Sequence, residues 1–144
     1  MEMQNYDSHR RFVTGYHFVL TLLALVALVG SSINFYRVLS RGSGRIDGAV
    51  LLVLVVCLIL VGYYARVFAL KAQDRAIRAE ENLRHYILHG SLLDPRLDVR
   101  QIIGLRFASD AELAPLIKRA IEEKLSEDAI KKAIENWRAD TYRV

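Results

Sequence analysis

The chain has little with which to cross-link or to catalyse. It has 144 residues and a single cysteine, Cys57, so no intrachain disulfide can form. Cys57 lies in the middle of an apolar run, where a lone thiol behaves as a small hydrophobe and carries no redox information. There is no P-loop, GxGxxG, GxSxG or HExxH, and Gly42-Ser43-Gly44 is a turn without the helix context of a phosphate loop. These absences remove the usual routes to nucleotide binding, nucleophilic hydrolysis and zinc catalysis. The chain is expected not to be an enzyme, and to need no metal and no cofactor.

Two further absences shape the chain. No Asp, Glu, Lys or Arg occurs from Phe12 to Tyr36 or from Gly48 to Ala65, which removes the charged groups that ion paths and proton relays use. No Gly or Pro occurs between Gly62 and Gly90, so a single helix is expected to run from Gly48 to His89, roughly 60 Å long at 1.5 Å per residue.

What is present is apolar length. Phe18 to Phe35 would cover roughly 27 Å as a helix, enough to cross the hydrocarbon layer of a bilayer. A cleaved signal peptide, with Arg10 and Arg11 as its basic region and Gly30-Ser31-Ser32 as its cleavage site, is the competing reading of this stretch. Phe12 and Tyr16 sit at one end of the first run and Phe35 and Tyr36 at the other. Tyr63, Tyr64 and Phe68 close the second, and these are the aromatic belts expected at two interfaces.

The resulting expectation is an all-α membrane protein. It comprises a cytosolic tail (1–11), transmembrane helix 1 (12–36), an external loop (37–47), transmembrane helix 2 (48–68), a cytosolic helical extension (69–90) and a C-terminal helical module (91–144). The two spans form a hairpin, the second continues as a long cytosolic helix, and a small bundle of three short helices follows.

Charge agrees with a membrane partner. Residues 1–90 hold ten Lys/Arg against six Asp/Glu, while residues 91–144 hold ten against ten, so the whole net charge of +4 flanks the spans. That suits anionic lipid head groups and argues against nucleic acid as a partner of the C-terminal part. The same neutrality makes Lys131, Lys132 and Arg138 solvated charges of an interaction module rather than a helix-turn-helix reader. Arg10, Arg11, Arg66, Lys71, Arg75 and Arg78 lie on the side of both termini, against Arg37, Arg41 and Arg45 in the loop; this balance puts both termini in the cytoplasm.

After Gly90, three helix starts are legible: Asp98 with Gln101, Ser109 with Glu112, and Ser126 with Glu127 and Asp128. Pro115 falls inside the second helix, where it removes a backbone donor and is expected to bend the helix or delay its regular part. The apolar stripes of the three helices predict a core containing Phe107, Leu116, Ile121, Ile134 and Trp137, with Trp137 buried on the helical stripe of Ile130, Ala133 and Ile134. So small a unit needs something to dock against.

The most regular pattern is on the long helix. Gly62, Ala65, Ala69, Ala72, Ala76, Ala79, Leu83 and Tyr86 alternate in steps of three and four, a heptad seam of small residues that lets another helix approach closely. Its cytosolic half has two available partners, the C-terminal helices or the same helix of a second copy. Glu81, His85 and His89 share a helix face, but two histidines without a third ligand and an open position read as a solvated face.

The strings QNYDSHRRFVTGYHFVL, RQIIGLRFASDAE and IKKAIENWRADTYRV resemble a family of small bacterial membrane proteins catalogued only as a domain of unknown function. The resemblance implies a two-span protein of the bacterial inner (cytoplasmic) membrane and carries over no catalytic residue. The function expected from these features is a membrane-anchored, self-associating scaffold or adaptor: a homo-oligomer in the lipid bilayer whose cytosolic module takes an unidentified protein partner. The alternative is a subunit of a small oligomeric channel or transporter, with a path lined by Thr21, Ser31, Ser32 and Asn34.

Overall fold

The computed structural model describes residues 5, 6 and 13–140. Regular structure among them is helical, apart from one isolated β-bridge, and the chain divides into two compact units. One is Phe12–Phe68; the other is Ala69–Val144 together with Met1–Arg11. Most of the expected tail, including Arg10 and Arg11, lies outside the described residues.

The first unit is a helical hairpin. A π-helical segment, Gly15–Leu20, leads into α1, Thr21–Arg41, and α2 begins at Arg45. Both helices are long and apolar enough to cross a membrane. The connection is three residues, Gly42-Ser43-Gly44, shorter than the expected loop 37–47. Nothing from Arg37 to Arg41 breaks a helix; Gly42, at φ 78°, is the first residue free to take the left-handed turn that ends one, and Gly44 follows at φ 72°.

Beyond the turn the two helices come close at Gly48. A Cβ there would lie 2.8 Å from Val38 Cγ2 and 3.5 Å from the Phe35 backbone. At the other end the Tyr16 hydroxyl donates to the Gly62 carbonyl at 3.0 Å, and the Arg66 guanidinium stands 5.7 Å from the centre of the Tyr16 ring. Between these ends the less exposed residues recur at 24, 28, 31, 35 and 38 and at 48, 52, 55, 59, 62 and 66. Alternating steps of four and three mark the stripes that two antiparallel helices turn toward each other. The remaining apolar side chains face outward, Leu58 at 70% exposure and Phe18 at 61% among them.

α2 runs unbroken from Arg45 to His89. It stops where expected: Gly90 takes φ 71° and its N–H reaches the Tyr86 carbonyl at 2.8 Å.

The second unit adds α3 (Val99–Leu105), α4 (Asp110–Glu122) and α5 (Glu127–Ala133). At α3 the expected capping box forms in full: Gln101 N–H donates to Asp98 and the Gln101 side chain accepts from the Asp98 backbone. The Gln101 amide then donates to the carbonyls of Ala120 and Leu125, both at 3.0 Å, so a buried polar side chain ties the start of α3 to the end of α4. Ser126 caps α5 through Ala129 N–H, also as expected.

Two expectations here are corrected. Ser109 starts α4 but makes no side-chain cap. Its own N–H is taken by the Asn136 carbonyl at 3.1 Å, and Glu112 turns instead to the backbone of Glu135 and Asn136. The third helix is also shorter than its apolar stripe suggested, because Ile134 leaves helical geometry at ψ 123°. Trp137 therefore lies on an extended segment bridged to Ala108, with Arg138 N–H donating to the Phe107 carbonyl at 2.7 Å. Its ring lies 5.1 Å from that of Phe107, as the core expectation required, but it is half-buried rather than enclosed. α4 meanwhile runs through Pro115, which sits exposed on its outer side.

The core joins Ile77 of α2, Leu93, Leu97, Ile102, Leu105, Phe107, Leu113, Leu116, Ile117, Ala120, Ile130 and Ile134, with Ile121 and Trp137 packed at its edge. Phe107 is fully enclosed, and the cations of Arg106 and Lys131 lie 4.5 and 5.5 Å from its ring centre. The N-terminal segment contributes as well: the Tyr6 hydroxyl donates to the Asp128 carboxylate, and Lys132 lies 5.2 Å from the Tyr6 ring centre.

α3 packs closely on α5 at Gly104, where a Cβ would meet the Glu127 carbonyl at 3.1 Å and Ile130 at 3.2 Å. Gly104→Val is expected to destabilise this unit by about 1 to 3 kcal/mol through overpacking. Limited proteolysis of the purified protein should then cut beyond Gly90 sooner than in wild type; unchanged resistance would mean that α3 and α5 can move apart freely. Trp137→Ala should cost about 2 to 3 kcal/mol, less than a fully enclosed aromatic, because part of the indole already faces solvent. Chemical denaturation of the purified protein followed by circular dichroism measures this, and a loss under about 0.5 kcal/mol, the size of an ordinary surface substitution, would place the indole on the surface.

Candidate functional site

Two features of the second unit bear on function: the face of α2 that the module occupies and the face that it leaves open. The occupied face carries Ile77, Glu81 and Arg84. Arg84 is the fastening. Its Nε donates to Asp110 Oδ1 at 2.8 Å, Nη2 to the Ala108 carbonyl at 2.8 Å and Nη1 to Glu81 Oε2 at 3.0 Å. Lower on the same helix the Asn82 side chain accepts from Leu93 N–H at 3.2 Å, and His85 Nδ1 lies 2.6 Å from the Ser91 carbonyl.

Beside this fastening Ile77, Glu80, Glu81, Arg106, Arg138, Ala139 and Asp140 line a cavity of about 240 Å³. Four of the charges that line it are paired: Arg138 reaches Glu81 at 3.5 Å and Arg106 reaches Asp140 at 3.4 Å. Burial pushes the Glu81 carboxyl above the ordinary carboxylate range, while the hydrogen bond from Arg84 and the charges of Arg84 and Arg138 pull it down. Asp110 shifts the other way, lowered chiefly by its hydrogen bond from Arg84.

This arrangement absorbs part of the Glu81, His85 and His89 face. Glu81 belongs to the ion-pair cluster, His85 holds the turn after α2, and the His85 and His89 rings lie 4.7 Å apart. Among the described residues no group of three His, Cys, Asp or Glu side chains is placed to hold a metal ion.

The seam divides. Gly62 is in the hairpin, its carbonyl taken by Tyr16, and Ala65 is exposed. Ala69 is partly covered, while Ala72, Ala76, Ala79, Leu83 and Tyr86 are exposed, Leu83 at 60% and Tyr86 at 54%. At 100° per residue these five centre roughly 150° around the helix from Ile77, Glu81 and Arg84. The module thus takes a different face of α2, and the seam from Ala72 to Tyr86 stays open. Ile87, at 72% exposure, widens it.

Of the polar residues in α1, Ser31 is buried, and both Ser31 and Ser32 donate to the Leu28 carbonyl of their own helix, at 3.1 and 2.7 Å. Thr21, Ser32 and Asn34 are exposed. The four are not gathered on one buried face.

The Glu81 and Arg84 cluster was missed in the sequence, although one signal for it was there: acidic and basic residues three apart on a helix, followed after Gly90 by an apolar unit too small to stand alone. Nothing local marked Asp110 or Arg138 as their partners.

The chain belongs to a family of unknown function (DUF6526), whose model matches residues 1–144. No curated protein and no solved structure matches it.

The opposed shifts of Glu81 and Asp110 predict a two-sided pH dependence. Glu81 is raised from 4.5, so its favourable contribution is complete below 4.5 and is lost as pH rises through the raised value. Asp110 is lowered from 3.8, so its contribution is present above 3.8 and is lost as pH falls through the lowered value. Glu81→Gln keeps an acceptor for Arg84 and removes only the first effect. Thermal unfolding read by Trp137, the only tryptophan in the chain, should fall in midpoint from pH 4.5 toward neutrality in wild type and stay flat in Glu81→Gln. Parallel profiles of the two proteins would show that Glu81 does not titrate in the folded state.

Proposed function

We propose that this family member is a membrane-anchored, self-associating helical scaffold or adaptor. α1 and α2 cross the bilayer as a hairpin, and α2 carries a compact helical module in the cytoplasm. The location that fits its charge pattern and its resemblance is the bacterial inner membrane, with both termini cytoplasmic. Supporting insertion is the outward-facing apolar surface of the hairpin, large and uncharged through the middle of both helices, which only a lipid or protein partner would cover. Supporting a common side for both ends is the hydrogen bond from Tyr6 to Asp128, since a chain that crosses twice returns to the side from which it started.

The observation that carries self-association is the face of α2 that the module leaves open. Of the two partners available to the seam, the C-terminal helices dock through Ile77, Glu81 and Arg84, and Ala72, Ala76, Ala79, Leu83 and Tyr86 stay outside that contact. Exposed leucine, tyrosine and isoleucine at heptad spacing, beside alanines that admit close approach, fit another copy of the same helix.

Single cysteines at Ala72 or Ala79, in a Cys57→Ala background, are expected to form disulfide-linked dimers in membranes on mild oxidation. A cysteine at Arg78, on another side of α2, serves as the control. If Arg78→Cys crosslinks as well as Ala72→Cys and Ala79→Cys, the contact is random collision and the seam is not an interface.

A further inference from the structure

The open face of α2 carries more than apolar residues. With Ala76 and Leu83 at one core position of the heptad and Ala72, Ala79 and Tyr86 at the other, Arg75 falls at the flanking position before one repeat and Glu80 at the flanking position after the next core residue. Both side chains are exposed, and neither forms an ion pair with another described residue. In a parallel two-stranded coil the first flanking position faces the second on the partner helix five residues further along, and Arg75 and Glu80 are five apart. The remaining flanking residues of this stretch, Gln73, Asn82 and Ile87, carry no formal charge.

We propose that α2 pairs with α2 of a second copy as a parallel coil in the register that sets Arg75 against the partner's Glu80, and Glu80 against the partner's Arg75. This rests on the self-association reading and deepens it by fixing partner, direction and register. Parallel direction also follows from membrane anchoring, because copies inserted in one orientation present the same helix in the same direction. The charges are complementary only in that arrangement: an antiparallel pair sets like flanking positions against each other, arginine near arginine and glutamate near glutamate. The two cross-pairs select direction and register, and the apolar seam supplies the association itself.

The test uses the full chain in membranes, with Ala79→Cys in a Cys57→Ala background as reporter. Arg75→Glu alone places glutamate against glutamate, and Glu80→Arg alone places arginine against arginine; each should lower disulfide-linked dimer by roughly tenfold at low salt. The double variant Arg75→Glu/Glu80→Arg restores both pairs and should crosslink like the parent. Co-expressing the two single variants with different tags should give the mixed dimer in preference to either homodimer. An unchanged Trp137 melting midpoint in each variant shows that the module is still folded. If the parent itself fails to crosslink, self-association is wrong and this register falls with it. If the parent crosslinks and the single variants crosslink equally well, or the mixed dimer is not favoured, the seam stands as an interface and the register is wrong.

Discussion

Much of the second unit depends on how one guanidinium is held. Arg84 is almost wholly withdrawn from solvent, and a buried cation is tolerable only when its donors are met. Glu81 meets them from its own helix, Asp110 from the start of α4 and the Ala108 carbonyl from the turn before it. The planar fork has a single orientation that reaches all three. That orientation fixes which face of α2 the module takes, and so which face it leaves. The open seam is in this sense a product of the fastening opposite it.

The helical content was largely legible because helices announce themselves locally. The apolar runs, the glycines at 42 and 90, the Asp98 and Gln101 box and the Ser126 cap each occupy a few consecutive residues, and each stands where the sequence put it. What was not legible depends on partners distant in sequence. Ser109 and Glu112 have the spacing of a capping box, yet Asn136 takes the Ser109 N–H that the box would use. Trp137 has helical spacing from Ile130 and Ala133, yet the exchange of backbone hydrogen bonds with Phe107 and Ser109 holds it outside the helix, bridged to Ala108. In both cases a tertiary hydrogen bond outweighs a local preference worth about 1 kcal/mol, and no window of sequence contains both of its ends.

The same contrast holds for the candidate site. The seam is a one-dimensional pattern and could be read from spacing. Which of its members remain open could not, because that depends on Tyr16 claiming the Gly62 carbonyl and on the module choosing Ile77. Glu81 looked like a member of a histidine face and proved to be the buried acid of an ion-pair cluster whose two cations are three and 57 residues away.

The hydrogen bond between Tyr6 and Asp128 joins positions 122 apart, so its formation has an order imposed on it by synthesis. Tyr6 leaves the ribosome well before Asp128 and must wait while two apolar helices and the whole of α3 and α4 are made before α5 exists to receive it. Closing so wide a loop early would cost the chain a large entropy for one contact. The clasp therefore forms late, after α3 and α4, a lock on helices already made rather than a step toward them.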